Sequence, residues 1–192
     1  MRVCIDPGHG GSDPGAIGRE PLLLREKTVT LAIGLALAEA VKRHGWETVT
    51  TRLRDRSVSL AARAAFANRY RADVFVSVHA NAAASPAVEG VEVYHFPAAA
   101  RSRSIALHVL DRLLLRFPGH TSRGVKEANF AVLRLTRMPA VLVECEFLTH
   151  PRQLEFLADP GNQSGLAEAI AEGLAAAVDG PFQHVLLPPH AG

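Results

Sequence analysis

An α/β fold, with a mainly parallel twisted sheet flanked by helices, is predicted by three observations. Short β-branched runs alternate along the chain with stretches of helical apolar spacing. One of those runs, Val74-Phe75-Val76-Ser77-Val78, is almost continuously apolar, as expected of a strand covered on both faces. Glycine- and proline-containing segments fall between the runs, where turns are required. About six strands in a single domain are expected, and 192 residues can bury a core without staples.

Taken in order, Val3 to Asp6 reads as the first strand, and it runs into the glycine-rich loop Gly8-His9-Gly10-Gly11. Apolar residues at Val29, Ile33, Leu37 and Val41 then predict a helix from about Arg25 to His44, stopped by Gly45. Trp46 to Thr51 is rich in β-branched residues and reads as a strand. Ser57 or Ser59 can cap a helix running to about Arg71, and Asp73 to His79 follows as a strand. Ala80 to Glu89 is a loop, Val91 to Phe96 a strand, and Arg101 to Arg116 a helix ended by Phe117-Pro118-Gly119. Phe130 to Leu135 and Ala140 to Glu144 read as two further strands, and a last helix covers about Ser164 to Val178. These elements form a domain over residues 1–179, and the proline-containing residues 180–192 are expected to be a loosely ordered tail.

Composition narrows the function classes. At 48% hydrophobic and 21% charged residues the chain matches globular averages, which argues against disorder and fibrous repeats. The net charge of +2 and a pI near 8.8 give a mild positive bias, but no basic block interleaved with aromatics marks a nucleic-acid face. No apolar run is long enough to cross a bilayer, so membrane insertion is not expected, and a monomer is. Met1-Arg2-Val3 enters a strand directly, without the charged start and apolar core of a signal peptide, as expected of a cytoplasmic chain or one whose leader was removed. Cys4 and Cys145 lack metal or disulfide spacing and read as small buried hydrophobes.

The chemistry gathers at strand ends. His9, His79 and Glu144 each lie at or just past the C-terminal end of a predicted strand, where parallel sheets place their sites. Two histidines and one carboxylate with an open position form a catalytic zinc ligand set. Glu26, opening the first long helix, is the best carboxylate candidate, with Glu20 and Asp13 as competitors; its first-turn position equally suits the helix dipole. Glu144 ends the apolar run Ala140-Val141-Leu142-Val143, where an ionised carboxylate is costly unless paired or bound, so it reads as a general acid/base. Asp6 could orient His9 or cap the turn before Pro7. His44, His95, His108, His120, His184 and His190 read as bystanders, having no matching acid at ligand spacing.

Segments spread in order over nearly the whole chain carry a resemblance: IDPGHGGSDPGA, REKTVTLA, TRLRDRSVSLAARAAFAN, ADVFVSVHANA, GVEVYHF, RGVKEANFAVLR and PAVLVECEF. Together they resemble the zinc-dependent N-acetylmuramoyl-L-alanine amidases of the Amidase_3 family. The resemblance implies one Zn²⁺ held by His9, Glu26 and His79, with Glu144 as catalytic acid/base and peptidoglycan as the substrate. It favours Glu26 over Glu20, because Glu26-Lys27 precedes Leu31 at the family's E-K-x-x-x-L spacing. It also implies a cell-wall lytic role, as an autolysin or a phage endolysin. The rival readings are a zinc peptidase acting on muropeptides and a catalytically silent wall-binding module. Arg52 and Arg63 resemble family positions and are expected to pair with Asp55 or with backbone. Two departures stand out: Glu146 occupies the place before Phe147 where the family usually has a small residue, often Gly, and Thr149-His150 replaces a Ser-Asn pair. Strand alternation puts Glu146 on the face of Glu144 but further out, so added negative charge near the cleft is expected. His150 reads as a surface histidine with a possible substrate contact.

Overall fold

The computed structural model describes residues 1–179. Along these residues run β1 (Arg2–Pro7), β2 (Ile17–Gly18), β3 (Leu24–Arg25), α1 (Glu26–Arg43), β4 (Glu47–Thr50), α2 (Leu60–Arg69) and β5 (Val74–Asn81). There follow β6 (Val91–His95), α3 (Ala100–Arg116), β7 (Ser122–Glu127), α4 (Ala131–Arg134), β8 (Ala140–Phe147), α5 (Pro151–Ala158) and α6 (Pro160–Asp179). Six strands form one sheet in the order β4-β1-β5-β8-β6-β7, and β2 pairs with β3 in a small hairpin. All neighbours in the large sheet are parallel except β6 and β8, which are antiparallel. The predicted mainly parallel sheet is therefore present, and the proposed tail lies outside the described residues.

Period-two alternation sorts the strand side chains onto two faces. Val3 and Ile5, Val74, Val76 and Val78, and Val141, Val143 and Cys145 join a large core closed by α1, α3 and α6. Cys4, Phe75, Ala140 and Leu142 face the other way, into a smaller core with Ala67 of α2 and Val132 and Leu133 of α4. The two cysteines thus lie on opposite faces of the sheet, buried and unpaired. The unequal cover matters for function. The second face carries only a ten-residue and a four-residue helix, so the C-terminal strand ends stay open there.

Two expectations are corrected. Phe130 to Leu135 is not a strand: Ala131–Arg134 forms the single turn α4, which turns the adjacent Val132 and Leu133 into the smaller core. The sixth strand is instead β7, whose sequence Ser-Arg-Gly-Val-Lys-Glu is polar because it forms an edge of the sheet with only β6 as neighbour. α5, begun by Pro151 and capped by His150, also escaped the sequence reading, because its eight residues offer only two helical turns of pattern.

A buried ion pair anchors the end of β1. Asp6 is fully buried and accepts hydrogen bonds from Thr51 Oγ1 (2.6 Å), Ser77 Oγ (2.8 Å) and Arg63 Nη1 (2.8 Å). The two roles considered for Asp6 are thus both replaced: it neither contacts His9 nor caps a turn, but ties β1 to β5 and α2. Arg63 also donates to Pro7 O (2.7 Å) and His9 O (2.6 Å). Arg52, likewise fully buried, donates to Pro7 O (2.9 Å) and Gly8 O (2.8 Å), so its partners are backbone rather than Asp55. Arg63→Met would keep the apolar stem and leave Asp6 buried without its cation. Its expected cost is about 3 kcal/mol, read as a lower urea midpoint at unchanged m-value.

Candidate metal centre and acid/base site

The loop after β1 carries His9 with φ of 60°, a left-handed conformation held by its surroundings. Gly8 N donates to Val78 O (2.9 Å), and Gly8 O accepts from Thr30 Oγ1 (2.8 Å) as well as Arg52. Gly8 is required for a steric reason. A Cβ there would lie 2.4 to 2.8 Å from ring atoms of His79, so the missing side chain is the space that the second histidine fills.

Glu26 is the first residue of α1 and only 5% exposed. Its Oε1 lies 3.0 Å from His9 Nε2, 3.0 Å from His79 Nδ1 and 3.1 Å from the backbone nitrogen of Ala80, while Oε2 accepts from Ala16 N (2.8 Å). One ligand atom from each of His9, Glu26 and His79 falls within 4.8 Å of the others. The histidine rings stand edge to face, 4.9 Å apart. A two-nitrogen, one-oxygen donor set with a cleft beside it fits a divalent ion with an open position. His9 Nδ1 is 2.8 Å from Asp13 Oδ2, which presents Nε2 to the centre. Asp13 thus bonds the other ring nitrogen of His9 and is not a member of the three-residue group, and Glu20 also lies outside it.

Electrostatics agree with this placement. Burial alone would raise the Glu26 pKa, but the hydrogen bonds and charges of His79 and His9 outweigh it and hold the carboxyl well below the usual range. Burial lowers His9, yet Glu26 and Asp13 together raise it above the ordinary value. Glu144 has no such partner. It is the register neighbour of His79, half-buried, and its Oε2 is shut off from solvent without a hydrogen-bond partner. Burial, reinforced by the charges of Glu26 and Glu92, pushes its carboxyl up to about 7 against the opposing pull of His79 and His9.

Two cavities meet at this centre. One, of about 400 Å³, is lined by Glu26, His79 and Glu144 together with Asn81, Leu60, Phe130 and Val132. The other, of about 370 Å³, lies beyond His9 against Ser12, Asp13, Ser57 and Ser59. The four residues named from the sequence, His9, Glu26, His79 and Glu144, all line the first of these cavities, whereas sequence reasoning did not single out Asn81 or the contact of Asp13 with His9. Asn81 stands two residues past His79 in the same strand, which was the available signal.

Glu146 contradicts its expected position. Its φ of 139° breaks strand alternation, and its fully buried carboxylate accepts from Gly90 N (2.6 Å) and pairs with His120 Nδ1 (2.7 Å). It lines neither cavity at the metal centre, so it does not add charge to their walls. His120 is therefore the partly buried partner of Glu146 and not a bystander. His95 is also buried, bonding through Nδ1 to Phe96 O (2.9 Å). His150 is a helix cap, accepting from Gln153 N (3.3 Å), and not a free surface group. His184 and His190 lie outside the described residues.

Known proteins match the chain over most of its length. The Amidase_3 family profile, described as N-acetylmuramoyl-L-alanine amidase, matches residues 3–176. The N-acetylmuramoyl-L-alanine amidase AmiC of Neisseria meningitidis is 34% identical over 215 residues, covering 90% of this chain and 51% of the relative. The N-acetylmuramoyl-L-alanine amidase CwlM of Bacillus licheniformis is 35% identical over 179 residues, covering 92% of this chain and 68% of the relative. The chain thus spans about half the length of the Neisseria protein. The solved structure of the N-acetylmuramoyl-L-alanine amidase AmiC2 of Nostoc punctiforme superposes with a TM-score of 0.86 at 39% identity, covering 93% of this chain and 97% of that one. With a profile match spanning residues 3–176, on a fold and ligand set that suit metal-assisted hydrolysis, the chain belongs to the Amidase_3 family of N-acetylmuramoyl-L-alanine amidases.

Proposed function

We propose that this chain is a zinc amidase that hydrolyses the amide between N-acetylmuramic acid and L-alanine in peptidoglycan. The observation that carries this reading is the position of Glu144: a carboxyl with an unpartnered, buried oxygen, one strand away from a His-Glu-His donor set. His9, through Nε2, Glu26, through Oε1, and His79, through Nδ1, are the atoms that would hold the ion. Zinc bound there supplies Lewis-acid polarisation of a carbonyl and makes water a nucleophile near neutral pH.

The protein's own groups do the rest. Asp13 takes the Nδ1 hydrogen of His9, which leaves the Nε2 lone pair for the metal. The Glu144 carboxylate, which lines the cleft, accepts a proton from the attacking water and returns it to the departing L-alanine nitrogen. In the metal-free protein burial pushes that carboxyl up to about 7, so Glu144 starts from a higher proton affinity than an exposed carboxylate. Leu60, Phe130 and Val132 give the cleft beside Glu144 an apolar wall.

Glu144→Gln is expected to keep its metal and lose about 10²- to 10⁴-fold in turnover, whereas His79→Ala is expected to lose metal affinity itself. Metal content after dialysis and mass analysis of stem peptides released from purified peptidoglycan separate the two; full activity in Glu144→Gln would refute the role. For the metal-free protein the sign of the pH effect follows from a folded-state pKa above the unfolded value of about 4.5. The neutral form of Glu144 contributes its full stability below about pH 4.5, and that contribution is lost as pH rises through about 7. Chemical unfolding should therefore show wild type losing up to about 3 kcal/mol relative to Glu144→Gln across that window.

A further inference from the structure

Three sequence segments remain unused by the chemistry above: the Asn of ADVFVSVHANA, the Glu and Tyr of GVEVYHF, and the basic residues of RGVKEANFAVLR. They meet at one carboxylate. Glu92 of β6 is the direct register partner of Glu144 in β8, on the same face of the sheet, and is only 2% exposed. Both of its oxygens are filled. Oε1 accepts from Asn81 Nδ2 (2.7 Å) and Tyr94 Oη (2.7 Å); Oε2 accepts from Arg123 Nε (2.8 Å) and Lys126 Nζ (2.5 Å). Burial works to raise its pKa, but the bonds from Lys126, Tyr94 and Arg123 outweigh burial and keep it ionised.

This arrangement settles the orientation of the Asn81 amide. An ionised carboxylate only accepts and a backbone N–H only donates. Nδ2 must therefore face Glu92, and Oδ1 must face the Ala82 nitrogen, which donates to it at 2.8 Å. The second Nδ2 hydrogen has no acceptor among the described residues, and Asn81 lines the cavity that also holds Glu144. The walls of that cavity include Leu60, Phe130 and Val132, which suit alkyl side chains. Phe130 is braced by the ring of Tyr94, 5.2 Å away, so Glu92 supports the wall as well as the donor. The cavity beyond His9 shares Leu60 and Val132 with this one and adds Ser12, Asp13, Ser57 and Ser59.

We propose that Asn81 is a substrate-binding residue that donates its free amide N–H to a carbonyl oxygen of the peptide half of the substrate, and that Glu92 is the residue that positions it. The proposal rests on the amidase reading and adds the wall of the cleft along which the peptide half lies, that of Asn81 and Phe130. Glu92 itself touches no reacting atom; it acts through Asn81.

The test is steady-state release of stem peptides from purified peptidoglycan by the zinc-loaded protein, with wild type, Asn81→Ala, Glu92→Gln and the double variant compared. Asn81→Ala is expected to raise KM about tenfold, the loss of one hydrogen bond, with kcat within about twofold and zinc content unchanged. Glu92→Gln is expected to raise KM similarly, and the double variant to be no worse than Asn81→Ala alone, because Glu92 acts through the lost amide. Should Glu92→Gln fail to fold, Glu92→Asp takes its place with the same expected outcome. It keeps the charge between Lys126 and Arg123 while withdrawing the oxygen from Asn81. An unchanged KM in Asn81→Ala, or losses that multiply in the double variant, would overturn the proposal while the amidase reading stands. A wild-type protein that releases no stem peptide would overturn the amidase reading and this proposal with it.

Discussion

The salt bridge between Asp6 and Arg63, buried under the C-terminal end of β1, is the constraint on which the site depends. The chain must leave the sheet at Pro7, and it does so with three successive carbonyls, of Pro7, Gly8 and His9, turned toward protein instead of water. Each needs a donor, since an unpaired buried carbonyl costs as much as a lost hydrogen bond. Arg63 and Arg52 supply those donors with rigid guanidinium forks, which a lysine could not match. Arg63 can sit there only because Asp6 offsets its charge, and Asp6 is held in turn by Thr51 and Ser77. The left-handed backbone at His9, and hence the direction of its imidazole, follows from this frame.

From that frame three carboxylates come together on the open face of the sheet, each made different by its neighbours. Glu26 lies between two imidazoles and stays ionised, the form a metal ligand requires. Glu92 lies between a lysine and an arginine and stays ionised as a support. Glu144, between the two, receives no cation of its own, so burial and like charge push it up to about 7. Separate environments thus give one side-chain chemistry three different protonation behaviours, which suit the proposed parts of ligand, support and acid/base. The open face exists because only α2 and α4 cover it, while α1, α3 and α6 close the other.

Much of this was legible in the chain because the carrying signals are local. The apolar runs of β1, β5 and β8 named strands, and a polar, ligand-type residue at the end of each named a site. The signals failed where an element is short or lies at an edge. Residues 130–135 mimic a strand in composition but make one helical turn, since Val132 and Leu133 both need the smaller core. β7 hid in polar residues because an edge strand must tolerate water. Glu146 defeated the alternation rule itself, because its backbone turns into a conformation that L-residues seldom adopt and its carboxylate finds Gly90 and His120.

By itself, then, the sequence determined the class of fold through periodicity and the family through an ordered set of matching segments, and it named His9, Glu26, His79 and Glu144 as candidates, with Glu26 preferred to Glu20 only on the family's spacing. Only the tertiary structure decided what lies around them. Asp13 became an orienting partner, Asp6 and Arg63 an anchor, and Glu92 the buried neighbour of Glu144, although 52 positions separate the last two along the chain. The physical reason is that hydrogen-bond partners and desolvation are set by which strands lie side by side, and that order, β5-β8-β6, departs from the order of the sequence.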